Sequence, residues 1–271
     1  MKKIKIIYIA IITICIISVI LAVILQINKN NINDTSKNTD IEAKTQEELK
    51  HEFNSQFNNV INLENYDTST VPKIDESKEI VYTAYNIEQS EENKYEIDIH
   101  LPVMNINNEA GASFNSITQQ IFADKATEVL QNSKTYTIYS VTYTGYINGD
   151  ILSVIIKSTL KEGTSAQRII VQTYNYNIAT GTEVTINDAI EKVGILAEDV
   201  TTKITSEITN SIKEANKIQA SGYETYTRDI NSDIYNLENI TTFFLGQDGK
   251  LYIIFAYGND HFTSEMDIIE I

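Results

Sequence analysis

The sequence predicts an α+β protein, in which an antiparallel β-sheet with packed helices follows one N-terminal transmembrane helix. Apolar and polar residues alternate along 80–103 and 136–178, which is the period of half-buried strands. Apolar residues recur every three or four positions along 112–131 and 197–219, which is the period of amphipathic helices. Short turn signals between the strand segments favour antiparallel hairpins, and the interleaved helices indicate the α+β class.

The N-terminus predicts a membrane anchor over residues 1–27. Three lysines among the first five residues precede an almost wholly apolar run, Ile6 to Ile27. As a helix this run would reach roughly 33 Å, enough for a hydrocarbon core of about 30 Å. The lysines favour a cytoplasmic N-terminus, which would put the rest of the chain outside the cell.

A cleaved signal peptide is the alternative interpretation of the same segment. Signal peptides have a shorter apolar stretch, about 7–15 residues, and small residues at the cleavage site. Here the longer run ends in Leu25-Gln26-Ile27, without small residues at a cleavage position. We therefore expect an uncleaved signal-anchor that crosses the cell membrane once.

Residues 28–75 predict a polar tether that includes one amphipathic helix at 45–61. The first part of the tether, 28–44, has too few apolar side chains to offset the entropy of ordering. Further on, Leu49 and Phe53 are spaced like one face of a helix, and Phe57 continues the spacing. This helix either docks on the domain or acts as a stalk, and the cost of leaving two phenylalanines in water favours docking.

An extracytoplasmic α+β domain is predicted over residues 76–271, with a boundary that would divide it into halves at 76–178 and 179–271. In the first half, the dipeptide Asn148-Gly149 predicts a tight hairpin because both residues accept a positive φ. In the second half, a short helix is expected at 229–237, after the long helix at 197–219 and before the closing strands.

Charge and cysteine content restrict the environment of this domain. The chain has 37 acidic and 21 basic residues, and its formal net charge is −16. Such a surface repels nucleic acid and attracts basic partners, although net charge also simply keeps exported proteins soluble. The one cysteine, Cys15, lies in the predicted anchor, so the domain is stabilised without disulfides. This is compatible with the outer face of a Gram-positive cell.

Motifs for catalysis or metal binding are not found. The three histidines, His51, His100 and His261, lack the short spacings of zinc ligands. There is no Gly-x-Ser-x-Gly segment and no glycine-rich phosphate loop. The sequence therefore predicts no catalytic residue, no cofactor and no metal.

The aromatic content suggests a recognition surface instead. The chain has 16 tyrosines, a residue that is enriched at binding surfaces and is also common in strands. The segment after the penultimate strand is predicted to be an exposed polar and aromatic loop. Its candidate partner-binding residues are Tyr257, Asn259, Asp260 and His261.

Four segments follow one another in a recognisable order: the strand at 94–104, the helix start at 112–117, the stretch at 174–188 with Thr180-Gly181, and the closing hairpin at 243–257. In this order they resemble a known family, the exported domain shared by the anti-sigma-V factor and the non-catalytic region of peptidoglycan deacetylase C. The resemblance covers about residues 78–271 and implies the fold more strongly than any ligand.

Two departures limit what the resemblance implies. Where the family has a Gly-Gly-Ala-His step, this sequence has residues 162–167 without a histidine. Only five residues precede the apolar run, so we expect no sigma-factor binding by a cytoplasmic domain. What the resemblance implies is the binding or accessory module alone.

We therefore predict a membrane-anchored extracytoplasmic binding or sensing module at the cell envelope, and not an enzyme. The resemblance implies a wall-associated protein such as a lysozyme-like muramidase as one partner, and a basic muramidase would suit the acidic surface. Two alternatives remain: a wall-polymer hydrolase that uses carboxylates brought together by the fold, and a structural accessory protein without a small-molecule ligand.

Overall fold

The computed structural model describes residues 44–62, 66–258 and 264–271, and the predicted anchor lies outside these ranges. Residues 46–271 form one compact unit. Among the described residues, no helix is long and apolar enough to cross a membrane. The mixed α+β fold with a mainly antiparallel sheet is confirmed.

Seven strands form the larger sheet of the described chain. In spatial order they are β2 (Val81–Glu91), β3 (Tyr95–Met104), β4 (Thr137–Asn148), β5 (Ile151–Glu162), β6 (Arg168–Asn177) and β7 (Thr182–Glu183), while β1 (Ile61–Asn62) pairs with one end of β4. Most neighbours are antiparallel, but β4 is parallel to both β3 and β1. The parallel β3–β4 pair arises because a helical crossover connects the two strands.

That crossover covers one face of the larger sheet. It consists of α2 (Glu109–Thr118), a π-helical turn (Gln119–Ala123) and α3 (Asp124–Asn132). The helix begins earlier than the predicted residue 112 because the Asn108 side chain accepts a hydrogen bond from the Gly111 N–H and caps it. Phe114 and Phe122 are fully buried against the sheet.

A smaller antiparallel sheet contains β8 (Phe243–Leu245), β9 (Leu251–Tyr257) and β10 (Glu265–Glu270). One of its faces packs against α4 (Ile186–Val193) and α5 (Ala197–Ala220).

The short helix predicted at 229–237 does not form. Two 3₁₀ turns, Asp233–Tyr235 and Leu237–Asn239, take its place. The Asp229 carboxylate accepts the Asn231 N–H and so offers the backbone a turn instead of a helix.

The predicted helix of the tether packs on the domain as α1 (Gln46–Ser55), with Leu49 and Phe53 buried. The Gln46 side chain donates to the Ile268 carbonyl at 2.8 Å and accepts from the Ile268 N–H at 2.9 Å. At this position on the edge of β10, the Gln46 amide makes the two backbone hydrogen bonds that a neighbouring strand would make.

Polar side chains join the two sheets. The buried Ser153 hydroxyl donates to the Asn175 side-chain oxygen at 2.6 Å and accepts from the Leu245 N–H at 3.1 Å. The Asn175 amide donates to the Phe243 carbonyl at 2.8 Å. Side chains of β5 and β6 therefore satisfy the backbone of β8 where no further strand pairs with it.

Candidate functional site

The larger sheet has a second face, opposite the helical crossover, that is covered at one end and open at the other. At the covered end, Tyr146, Ile155 and Val171 are buried against α1 and the smaller sheet. At the other end, Ile138 is 37 % exposed, and Glu96 and Asp98 are exposed. We call this end the open face.

The strand register defines the residues of the open face. Directly paired residues point to the same side of a sheet, so each row across the strands shares one face. The two rows are Glu88, Asp98, Ser140 and Thr159, then Ser90, Glu96, Ile138 and Lys161. Tyr136 lies two residues before Ile138 and belongs to the same side.

Acidic groups are concentrated on one side of the open face, around the turn between β2 and β3. An open groove of about 700 Å³ lies there, lined by Glu88, Glu91, Glu92, Glu96 and Asp98 among others. Glu88 and Glu92 make no hydrogen bond or ion pair with another described residue. Their charges are therefore available to a partner.

An exposed aromatic residue borders this groove. The Tyr136 side chain is 43 % exposed, and its hydroxyl donates to a Glu96 carboxylate oxygen at 3.3 Å. Partial desolvation and then the negative charge of Glu96 raise the pKa of Tyr136. The neighbouring Ile138 is 37 % exposed, so an apolar centre lies beside the acidic groups.

Lysines form the opposite border of the open face, and they are engaged by their neighbours. The Lys157 ammonium donates to the Asn54 side-chain oxygen at 2.9 Å and lies 4.3 Å from the centre of the Phe57 ring. Desolvation there lowers the pKa of Lys157. Lys161 donates to the Ser165 carbonyl at 2.6 Å. The open face therefore presents acids on one side, of which Glu88 and Glu92 have no partner among the described residues, and bound lysines on the other.

Of the four predicted partner-binding residues, the structure describes only Tyr257. Tyr257, expected in an exposed loop, is only 6 % exposed and lies in the core formed by β9 and α5. Asn259, Asp260 and His261 lie outside the described residues. Tyr257 is buried because it continues the inward alternation of β9, and this correction removes it from any surface site.

Tyr257 belongs to a buried polar cluster instead. Its hydroxyl donates to Asp267 at 2.9 Å and lies 2.9 Å from the Tyr235 hydroxyl. Two Arg228 nitrogens donate to the Asp267 carboxylate at 2.5 and 2.9 Å. Both side chains are buried: that of Arg228 is 6 % exposed and that of Asp267 is 1 % exposed. Ser211 adds a further hydrogen bond to Asp267 at 3.3 Å.

The electrostatics of this cluster are those of a structural ion pair. Burial alone would lower the pKa of the Arg228 guanidinium, but hydrogen bonding to Asp267 and its charge raise that pKa overall. Burial, and then the Asp267 charge, raise the pKa of Tyr257. The cluster fixes the segment around residue 228 on β9 and β10, because each charged group is satisfied within it.

Within the described part of the chain, no group of three or more histidine, cysteine, aspartate or glutamate residues could hold a metal ion. Of the histidines with described positions, His100 lies 3.1 Å from a carboxylate oxygen of Asp98 and is partly exposed. The open face combines carboxylates with the partly exposed Ile138 and Tyr136.

No protein-family model and no curated protein sequence matches the chain. Two solved structures of DUF3298 family proteins are similar. That from Pseudomonas aeruginosa PAO1 has 10 % identity and a TM-score of 0.41, over 68 % of this chain and 84 % of its own. That from Bacteroides fragilis NCTC 9343 has 12 % identity and a TM-score of 0.36, over 65 % and 80 %.

Proposed function

We propose that this chain is a membrane-anchored, extracytoplasmic module that binds a basic protein at the cell envelope through the open face of its larger sheet. In this proposal the chain is a binding protein and not a catalyst. The anchor is residues 6–27, and the partner is a wall-associated protein such as a lysozyme-like muramidase.

The observation that supports the proposal most strongly is the difference in exposure along one sheet face. Evolved sheets bury their apolar positions, yet here Ile138 and Tyr136 remain accessible beside a groove that is lined by carboxylates. An exposed apolar group rimmed by charges is typical of a protein interaction site. Carboxylates without internal partners add electrostatic attraction for a cationic surface.

The charge distribution also predicts how the partner approaches. The domain has a large excess of acidic residues, so a basic protein is attracted from a distance and the attraction is screened by salt. The lysines at the other border would repel cations. A basic partner should therefore dock over the β2–β3 side and not over the β5–β6 side.

The test measures binding of the full-length chain, kept in mild detergent, to a purified lysozyme at micromolar concentration. We expect association that weakens as ionic strength rises from about 0.05 M to about 0.3 M, because the screening length shortens. A variant with Glu88→Gln, Glu96→Gln and Asp98→Asn should bind roughly tenfold more weakly, mainly through slower association.

The matched control removes the same number of carboxylates from another exposed region. Glu214→Gln, Glu224→Gln and Glu238→Gln change the net charge by the same amount, and all three positions are exposed and distant in sequence from the open face. This control should retain most of the affinity. No salt-sensitive association with lysozyme would exclude that partner, and equal losses in both triple variants would exclude the open face as the docking surface.

A further inference from the structure

The described chain covers several of its sheet edges in specific ways, but the outer edge of β2 and the first part of the outer edge of β6 have no cover. The Gln46 side chain binds the backbone at the edge of β10, and Ser153 and Asn175 bind the backbone at the edge of β8. β7 and the Val184 N–H cover the end of β6. In contrast, β2 lies at the border of the larger sheet and pairs with β3 alone.

The outer edge of β2 has the geometry that strand pairing needs. A register shift separates Thr83 from Tyr85, but from Tyr85 to Glu91 the pairing with β3 continues without interruption. These seven residues extend over roughly 23 Å at about 3.3 Å per residue. In an antiparallel pair, alternate residues direct their N–H and C=O groups away from the neighbour. Among the described residues, none bonds to those outward groups between Tyr82 and Ser90.

The side chains of β2 determine which strand can pair there. Soluble proteins protect edge strands with charged side chains, especially lysine, with proline or with bulges. Residues 81–91 contain no lysine or proline, and after the register shift at Thr83–Tyr85 the charges of β2 are acidic. Glu88 and Glu91 are exposed on the strand, and Glu92 follows in the turn. A second copy of this acidic chain would be repelled, whereas an extended basic segment would be attracted.

We propose that the outer edge of β2 binds an extended, lysine-rich segment of a partner protein as an added strand. This inference rests on the proposed protein-binding function and specifies how the partner is held. Backbone hydrogen bonds to β2 supply a sequence-independent part of the affinity, and side chains supply the selection. Because side chains alternate, lysines at every second position of the partner segment would meet Glu88 and the acids of the open face.

The test uses a defined peptide in place of the partner. A peptide of about eight residues that alternates lysine and valine matches the uninterrupted part of β2. Its control is the same peptide with every backbone nitrogen methylated, which retains the lysine charges but has no backbone donors. Amide hydrogen exchange of the full-length chain, followed by mass spectrometry, locates the binding.

We expect the unmodified peptide to slow exchange in segment 82–91, and the methylated peptide to bind at least about tenfold more weakly. The variant Glu88→Lys should weaken binding of the unmodified peptide by about tenfold, whereas Glu214→Lys on α5 should not. Both substitutions are at exposed positions, so they test recognition and leave the fold intact.

The outcomes separate this inference from the proposed function. If the methylated peptide binds as well as the unmodified one, or if no peptide slows exchange in β2, strand addition is overturned. Lysozyme binding that depends on Glu96 and Asp98 would still support the open face as a docking surface in that case. If neither lysozyme nor the peptide binds, both the inference and the proposed partner fail.

Discussion

The covered and open ends of one sheet face consist of the same strands but differ in how deeply their side chains are buried. On β4, Tyr146 at the covered end is buried, whereas Ile138 at the open end is 37 % exposed. On β5, Ile155 is fully buried, whereas Lys161 remains accessible. Alternation along a strand therefore determines only which side a residue faces. Whether that side is buried depends on α1 and β8–β10, which come from distant parts of the chain.

The two ends also differ in how their polar groups are satisfied. At the covered end, Ser153 and Asn175 bind each other and the backbone of β8. At the open end, Glu88 and Asp98 lie directly opposite each other across β2 and β3. Like charges in that position destabilise a strand pair, so the fold gains nothing from them. Under the proposed function, the open end serves recognition and the covered end serves stability.

The largest expected effect comes from breaking the buried ion pair near the smaller sheet. Asp267→Ala leaves the Arg228 guanidinium buried without its partner, and should lower the free energy of unfolding by about 3–5 kcal/mol. Denaturant unfolding measures this change. The control Asp98→Ala at the open end should change stability by less than about 0.5 kcal/mol. Similar losses in both variants would contradict the assignment of the Arg228–Asp267 pair to the stability of the fold.

A smaller loss is expected from the polar junction of the two sheets. Asn175→Ala removes the acceptor of the Ser153 hydroxyl and the donor to the Phe243 carbonyl, and should cost about 1–3 kcal/mol. Ser140→Ala, on the open face, serves as the matched control and should cost less than about 0.5 kcal/mol. If Asn175→Ala is as stable as the unmodified protein, the side-chain bonds to β8 do not hold the sheets together.

The smallest effect concerns the pH dependence of stability. Burial raises the pKa of Tyr176 to about 12, and burial likewise raises the pKa of Tyr139. Above about pH 10 the unfolded chain releases these protons while the folded chain retains them, so stability should fall as pH rises from there. Tyr176→Phe should make this decline shallower in pH-dependent denaturant titrations. The exposed Tyr223→Phe should leave it unchanged, and an identical decline in all three proteins would contradict the account.

Much of the fold could be predicted because its signals are local. The hairpin between β4 and β5 forms at Asn148-Gly149, where Gly149 has a φ of 58° that suits glycine. The helix of the tether docks because Leu49 and Phe53 are apolar and correctly spaced. The parallel β3–β4 pair was not predicted, since strand direction depends on where the crossover helix returns to the sheet.

The candidate site could be predicted only in part. The acidic composition predicts a basic partner, which stays a prediction, and the sequence pattern of Glu96 and Asp98 is that of any solvated strand face. The prediction that Tyr257 lies in an exposed loop is wrong because its buried partners, Asp267 and Tyr235, belong to other segments of the chain. Whether a side chain is buried by a distant segment cannot be predicted from the residues next to it in the sequence.

The most direct test of the account is a comparison of amide hydrogen exchange in the full-length chain with and without lysozyme. The account predicts slower exchange in residues 86–98 and 136–140, where the open face lies, and unchanged exchange in residues 197–220 of α5. Protection that appears on α5 but not on the open face, or no protection at saturating lysozyme, would contradict the claim that this end of the sheet binds a basic protein.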